Sequence, residues 1–240
     1  MLSLDHVSFS VSTENGKKQI LKNVSFTIDR PFTVITGPNG GGKSTIAKLI
    51  AGIYRPDSGK IFLNGKDITD LGVTERAKSG VSYAFQTPVR FKGITVSDIL
   101  KIAAGRNLSV AESCEFLSSV GLCARDYLDR EINNSLSGGE LKRIEIATVL
   151  ARKTPLAVFD EPEAGIDLWS FNSLIKVFEN MRDAVHGSIV IISHQERILN
   201  IADRIIVISD GTVKTTGTRE EILPSLFSGE KLCDALKEKV

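Results

Sequence analysis

Short, almost purely apolar segments recur along the chain and alternate with segments of helical patterning. They lie at 32–37, 81–86, 155–160, 188–193 and 204–209, with the sequences FTVITG, VSYAFQ, PLAVFD, SIVIIS and RIIVIS. Strands that are apolar throughout are typical of a parallel sheet that helices cover on both faces. Residues 2–11 and 20–28 instead read as half-buried strands. The pattern predicts an α/β fold with a mixed or parallel sheet core and an antiparallel N-terminal β region.

A helical stretch interrupts this alternation between about residues 94 and 135. Within it, Ser109 and Glu112 stand three residues apart before an apolar stripe, which is the spacing of a helix capping box. Thr218 and Glu221 repeat that spacing near the end of the chain. We expect residues 1–240 to form a single domain, with a helical lobe at about 88–150 inserted into its core.

Composition narrows the possible partners and location. The net charge is +1, so no global basic field points to nucleic acid, and we expect no nucleic-acid partner. The three cysteines form no CxxC pair, so they suggest neither a metal knuckle nor a disulfide framework. No apolar run reaches the roughly 18–20 residues that a membrane span needs. We expect a cytoplasmic protein, and any membrane component would belong to a partner.

A glycine-rich loop follows the first buried strand. GPNGGGKST fits the phosphate-binding pattern G-x-x-x-x-G-K-[ST] and precedes a helical segment that ends near Gly52. Backbone N–H groups of such a loop surround phosphates, the lysine contacts the β- and γ-phosphates, and the serine hydroxyl is a magnesium ligand. The predicted nucleotide-binding residues are Gly37, Pro38, Asn39, Gly40, Gly41, Gly42, Lys43, Ser44 and Thr45.

Polar residues also stand at the ends of three later strands. Asp160 and Glu161 end one of them, and we expect Asp160 to face magnesium and Glu161 to be the general base or to position water. His194 follows another strand and can donate a hydrogen bond to the γ-phosphate. Gln86 ends VSYAFQ and offers an amide to magnesium or to the attacking water. The predicted magnesium ligands are therefore Ser44, Gln86 and Asp160.

A second glycine-rich turn, Ser137-Gly138-Gly139, precedes the helical pattern LKRIEIATVLARK. Free N–H groups and the positive end of a helix dipole make such a turn an anion site. A chain of this length thus carries two phosphate-binding helix starts.

These segments, in this order, resemble the nucleotide-binding domains of the ATP-binding cassette family. By that resemblance 37–45 is the Walker A loop, Gln86 the Q-loop, LSGGE the signature, 156–161 the Walker B strand, Asp167 part of the D-loop, and His194 the switch histidine. The resemblance implies ATP and Mg²⁺ as cofactors, and ATP hydrolysis. It also implies an ATP-dependent head-to-tail homodimer, in which Ser137 and Gly139 contact the partner's nucleotide.

The leading hypothesis for the type of cassette is an ATPase of iron–sulfur cluster assembly, and a membrane transporter subunit is the alternative. DNA-repair and ribosome-associated cassettes form a third class, which the lack of a long coiled-coil insertion and of a basic stripe disfavours. AFQTPVRFKGITVSDIL (84–100) and SHQERILNIADRIIVISDGTVKTTG (193–217) are similar to SufC-type ATPases of the SUF iron–sulfur cluster assembly system, which implies SufB/SufD-like scaffold partners. The alternative is the ATPase subunit of a membrane transporter, partnered by transmembrane permease subunits; Glu161-Pro162 is the pairing usual in transporters. Val11 stands where many transport cassettes stack adenine on an aromatic ring, and SufC-like chains also tend to have a small apolar residue there.

Overall fold

The computed structural model describes residues 1–14, 16–166, 168–184 and 187–227. The first half of the chain forms β1 (Leu2–Thr13), β2 (Gly16–Ile28), β3 (Phe32–Thr36), α1 (Lys43–Ala51), β4 (Ser58–Leu63), β5 (Lys66–Asp67), α2 (Val73–Lys78), β6 (Val81–Ala84), α3 (Val96–Ala104) and α4 (Val110–Ser119). The second half forms α5 (Ala124–Tyr127), α6 (Gly138–Arg152), β7 (Leu156–Asp160), α7 (Leu168–Ala184), β8 (Ser188–Ile192), α8 (Glu196–Leu199), β9 (Arg204–Ser209), β10 (Thr212–Gly217) and α9 (Arg219–Phe227).

All the apolar segments predicted as buried strands lie in one sheet of six strands, ordered β10-β9-β3-β8-β7-β6. Neighbours from β9 to β6 pair in parallel, and β10 adds an antiparallel edge. A second sheet is antiparallel, with the order β2-β1-β4-β5. Both the predicted α/β class and the antiparallel N-terminal region are confirmed.

Successive residues of the central strands enter two different cores. In β7, Ala157 and Phe159 pack in the core that also contains buried residues of α3, α4, α6 and α7. Leu156 and Val158 face the other core, which holds α1 and the antiparallel sheet. Because side chains alternate between the faces of a strand, a strand covered on both faces must be apolar at every position. This explains the continuous apolar segments of the sequence.

Helices α3 and α4 pack on α6, which itself contacts β6. Val96, Leu100 and Leu117 are fully buried in the core that they share with α6. The capping box predicted at Ser109 and Glu112 is present, since each residue's backbone N–H donates to the other's side chain. The extent of the inserted lobe as a unit stays a prediction. Within the described ranges, no helix combines the length and apolarity needed to cross a membrane.

Candidate functional site

The predicted site residues follow strands that are neighbours in the sheet. The order β3-β8-β7-β6 is parallel throughout, so these strands end at the same edge. That edge carries the glycine loop after β3, His194 after β8, Glu161 after β7 and Gln86 after β6. The crevice beyond the carboxyl ends of parallel strands is the usual binding site of α/β proteins.

The glycine loop approaches neighbouring backbone too closely for larger residues. Gly37 has φ +134°, and a Cβ atom at this position would lie 1.9 Å from the carbonyl oxygen of Ile208. Gly42, the residue before α1, has φ +103°, and its Cβ would lie 2.6 Å from Leu21. A side chain at either position would combine backbone strain with a clash. Glycine is therefore required at both for the loop to reach the start of α1.

Lys43 lies across this loop at the first residue of α1. Its Nζ donates to the carbonyl oxygens of Gly37 at 2.8 Å and Pro38 at 2.9 Å. Burial lowers the pKa of Lys43, whereas the nearby carboxylates of Glu161 and Asp160 raise it. A buried cation between a glycine loop and two acidic groups is suited to a polyphosphate bound with a metal ion.

Oxygen ligands suitable for magnesium meet at Asp160. The Ser44 hydroxyl donates to Oδ1 of Asp160 at 2.9 Å, and the Tyr83 hydroxyl donates to Oδ2 at 3.0 Å. Burial raises the pKa of Asp160, and the two hydrogen bonds oppose that shift. Mg²⁺ prefers carboxylate and hydroxyl oxygens, and a nearby cation favours the ionised form of a carboxyl group. The residues therefore fit the metal that the resemblance implies, and Ser44 and Asp160 would hold it.

Gln86 and Glu161 contact each other directly. The Nε2 of Gln86 donates to Oε2 of Glu161 at 2.6 Å. Glu161 has a left-handed backbone with φ +48°, and its N–H donates to the carbonyl of Ile192 on β8 at 3.0 Å. A non-glycine residue in this conformation is strained, and such strain is common at functional sites. The side-chain nitrogen of Gln86 is thus hydrogen-bonded to Glu161. Only the side-chain oxygen of Gln86 could then be a metal ligand.

His194 is exposed and lies two residues after the end of β8. Its Nε2 is 3.5 Å from Nε2 of Gln195. The preceding Ser193 is fully buried and donates to Oε1 of Glu163, another buried residue. Oε2 of Glu163 has no hydrogen-bond partner, and burial raises the pKa of this carboxyl. The role predicted for His194 toward phosphate stays a prediction.

The second glycine-rich segment differs from the predicted turn. Gly138 and Gly139 are the first residues of α6, and Ser137 is its N-cap. The Ser137 hydroxyl accepts from the N–H of Glu140 at 3.2 Å, and the Glu140 carboxylate accepts from the N–H of Ser137 at 2.7 Å. A hydrogen bond from the Tyr127 hydroxyl is the main cause that lowers the pKa of Glu140 to about 2. The segment is a capped helix start whose first residue, Gly138, is exposed, and the first N–H groups of a helix have no partners within it.

Several contacts at the site were not predicted. Lys142 and Glu145 of α6 contact the backbone of Glu161 and Phe85, and Tyr83 contacts Asp160. These pairs are far apart in sequence, so nothing local indicated them. The capping box of Ser137 and Glu140 was visible as S-x-x-E in the sequence. Asp167, predicted for the D-loop, lies outside the described residues.

Comparison with known proteins agrees with this geometry. The family model described as ABC transporter matches residues 21–164, more than half of the chain. An uncharacterised ABC transporter ATP-binding protein of Methanocaldococcus jannaschii is 40% identical over 216 residues, which cover 86% of each chain. A probable ATP-dependent transporter of Pyropia yezoensis is 34% identical over 220 residues, covering 85% of this chain and 87% of that one.

Solved structures are similar in fold. A dimeric ATP-binding cassette in a post-hydrolysis state, bound to ADP and Pi, matches with a TM-score of 0.82 at 23% identity. The match covers 91% of this chain and 99% of that chain. The likeness shows that the two sheets and the helices of this chain have the arrangement of an ATP-binding cassette.

Proposed function

The chain belongs to the ABC transporter family of ATP-binding cassettes, and we propose that it is the ATP-hydrolysing subunit of a membrane transporter. It is an ATPase by family and fold. The observation that carries the transporter assignment is that relatives matching 85% or more of the chain are described as transporter ATP-binding proteins or transporters. The pairing of Glu161 with Gln86 beside the Lys43 loop supports hydrolysis at this site.

In the proposed reaction, Glu161 accepts a proton from the attacking water and Gln86 holds its carboxylate in place. Lys43 and the N–H groups of residues 40–45 bind the phosphates. His194 donates a hydrogen bond to the γ-phosphate. Magnesium, when bound, neutralises the charge on the phosphate oxygens.

We propose that two copies pair head to tail when ATP is bound. Ser137, Gly138 and Gly139 start a helix on the lobe, and no described contact joins them to the Lys43 loop of the same chain. A helix start with free N–H groups is suited to the γ-phosphate of a second subunit. The similar cassette bound to ADP and Pi is itself dimeric, which supports this arrangement. Asp167 is the proposed D-loop residue.

The permease would dock where apolar side chains surround the Q-loop. Phe85, Val89 and Phe91 are large apolar residues that are 41%, 46% and 38% exposed. They lie between β6 and α3, next to Gln86, so a partner that presses on them acts close to the base. The proposed location is cytoplasmic, with attachment to the membrane through the partner alone.

A SufB/SufD-like scaffold is the second candidate partner, and the segments 84–100 and 193–217 favour it. The named relatives favour the transporter instead. We therefore favour the transporter hypothesis over the predicted SufC-type identity.

The test uses Glu161→Gln, which removes the base but keeps the size of the side chain. We expect it to bind ATP, to lose turnover by 100-fold or more, and to trap the assembly with its partner. The tagged variant is captured from native cells with ATP and magnesium, with and without detergent. A partner with several membrane spans that is recovered only with detergent supports the transporter. A soluble partner that binds an iron–sulfur cluster would establish the scaffold instead, and wild-type turnover would disprove the role of Glu161.

A further inference from the structure

Glu145 lies in the middle of α6 and contacts backbone outside its own helix. Its Oε1 accepts a hydrogen bond from the N–H of Phe85 at 2.9 Å. Phe85 is the first residue after β6 and directly precedes Gln86, whose Nε2 is 2.6 Å from Glu161. One carboxylate of α6 therefore fixes the backbone that carries the Gln86 amide.

The same helix also fixes the other side of the Gln86–Glu161 contact. Lys142 lies three residues before Glu145, which places the two on one helix face. Its Nζ donates to the backbone carbonyl of Glu161 at 2.8 Å. Both members of the proposed catalytic pair thus have their main chains held by α6.

Helix α6 begins at the second anion-binding segment. Ser137 is its N-cap, and Glu145 follows about 12 Å further along the helix axis, at 1.5 Å per residue. A continuous helix moves as a rigid element over that distance. A shift of the N-terminus on a partner's nucleotide therefore moves Glu145 and Lys142 together with it.

We infer that Glu145 is a positioning residue for ATP hydrolysis, which sets the location of the Gln86 amide against Glu161 through the N–H of Phe85. The inference rests on the roles proposed above for Gln86 and Glu161. It adds a connection within one subunit between the signature segment and the base. The reacting atoms are not in contact with Glu145.

The identity of the residue agrees with this role. Glu145 is half-buried on a helix face that it shares with Leu141 and Val149, four residues away on either side, both of which are buried in the core. Burial raises its pKa, and the Phe85 N–H and the charge of Lys142 lower it. If the side chain at position 145 only filled space, an apolar residue would cost less to bury there.

The test replaces the acceptor while keeping the length of the side chain. Glu145→Met loses the acceptor, Glu145→Gln keeps one, and Glu115→Ala is a control at an exposed glutamate on α4. We expect Glu145→Met to lower kcat about tenfold or more, with ATP affinity within twofold of the wild type, because the Lys43 loop is untouched. Glu145→Gln should retain most of kcat, and Glu115→Ala all of it. ATP affinity is measured with a fluorescent ATP analogue, and folding by thermal melting.

A double-mutant cycle with Gln86→Ala separates positioning from a general loss of structure. If Glu145 acts through Gln86, the double variant should be no slower than Gln86→Ala alone, within twofold. The inference would be overturned if the losses of kcat in the two single variants multiply in the double variant. It would also be overturned if Glu145→Met and Glu145→Gln lose kcat equally. If Glu145→Met does not fold, Glu145→Ala takes its place in the cycle. If kcat is unchanged in Gln86→Ala, both the proposed role of Gln86 and the inference are refuted. If kcat falls in Gln86→Ala but not in Glu145→Met, only the inference is refuted.

Discussion

At the scale of single residues, the chain holds acidic groups in opposite electrostatic settings. Burial raises the pKa of Asp160 and Glu163, and that of Glu145 to about 7. Glu112 and Glu140, which cap helices, have pKa values lowered to about 2, chiefly by side-chain hydrogen bonds with Arg106 and Tyr127 respectively. Hydrogen bonds therefore favour the charged form of the carboxylates that cap helices, whereas burial disfavours the charged form of the carboxylates at the site.

The raised pKa of Glu145 predicts a pH-dependent stability. Glu145 binds its proton more tightly in the folded chain than in the unfolded chain, where its pKa is near 4.5. The folded chain therefore loses stability as the pH rises from about 4.5 to 7. Glu145→Gln does not titrate. Relative to this variant, the wild type should be up to about 3 kcal/mol more stable at pH 5 than at pH 8. Urea unfolding of both proteins at pH 5, 6, 7 and 8 measures the difference, and parallel curves would contradict the raised pKa.

At the scale of elements, the helix that follows the phosphate loop depends on one buried arginine. Arg76 of α2 is 1% exposed and donates to the carbonyl oxygens of Leu49 and Ile50 in the last turn of α1. It also donates to the carbonyls of Leu71 and Thr69. Carbonyl groups in the last turn of a helix lack partners within the helix. Arg76 supplies a donor to Ile50 and a second donor to Leu49, whose carbonyl also accepts from the N–H of Gly52, and so joins α1 to α2.

We predict that Arg76→Ala destabilises the fold by about 3–5 kcal/mol, because it leaves buried carbonyls without donors and opens a cavity. Arg55→Ala is the matched control. Arg55 pairs with Asp70 through a side chain that is 74% exposed, and its loss should change stability by less than about 1 kcal/mol. Denaturant midpoints report both effects. Equal midpoints for the two variants would show that Arg76 is not needed for the end of α1.

At the scale of the whole molecule, the two helix starts that are proposed to bind phosphate lie on different parts of the fold. α1 begins next to the central sheet, whereas α6 begins after the helices between β6 and β7. Each proposed ATP site is therefore complete only when a second copy supplies Ser137 and Gly139. Binding of ATP then favours the paired state over the separate one, as any ligand with differential affinity does.

Mixing two inactive variants tests this arrangement. Lys43→Ala disables the phosphate loop, and Ser137→Arg blocks the signature. In a mixed dimer one composite site carries both changes and the other is intact, so activity should return to roughly half of the wild-type value per mixed dimer. Steady-state ATPase measured over a range of mixing ratios shows the recovery. If each variant is inactive alone and no ratio restores activity, the shared sites are refuted.

Local patterns in the sequence were sufficient to predict most of the fold. The buried strands were predicted because both faces of the central sheet are covered, which requires apolar residues at every position, as in β7 and β8. The phosphate loop was predicted because glycine, lysine and serine must occupy fixed places between a strand and a helix. The short elements α2 and β5 were not predicted, because their few residues carry too weak a pattern.

The sequence by itself determined the order of the strands and helices, the glycine loop at Gly37–Gly42, and the residues that end each strand. These features depend on residues that are close along the chain, and the spacing of such residues can be taken directly from the sequence. Only the tertiary structure decided that Gln86 contacts Glu161, that Tyr83 contacts Asp160, and that α6 contacts both sides of the proposed catalytic pair through Glu145 and Lys142. Those contacts join residues on different elements, so they exist only after the parallel strands bring their ends to one edge and α6 packs against it.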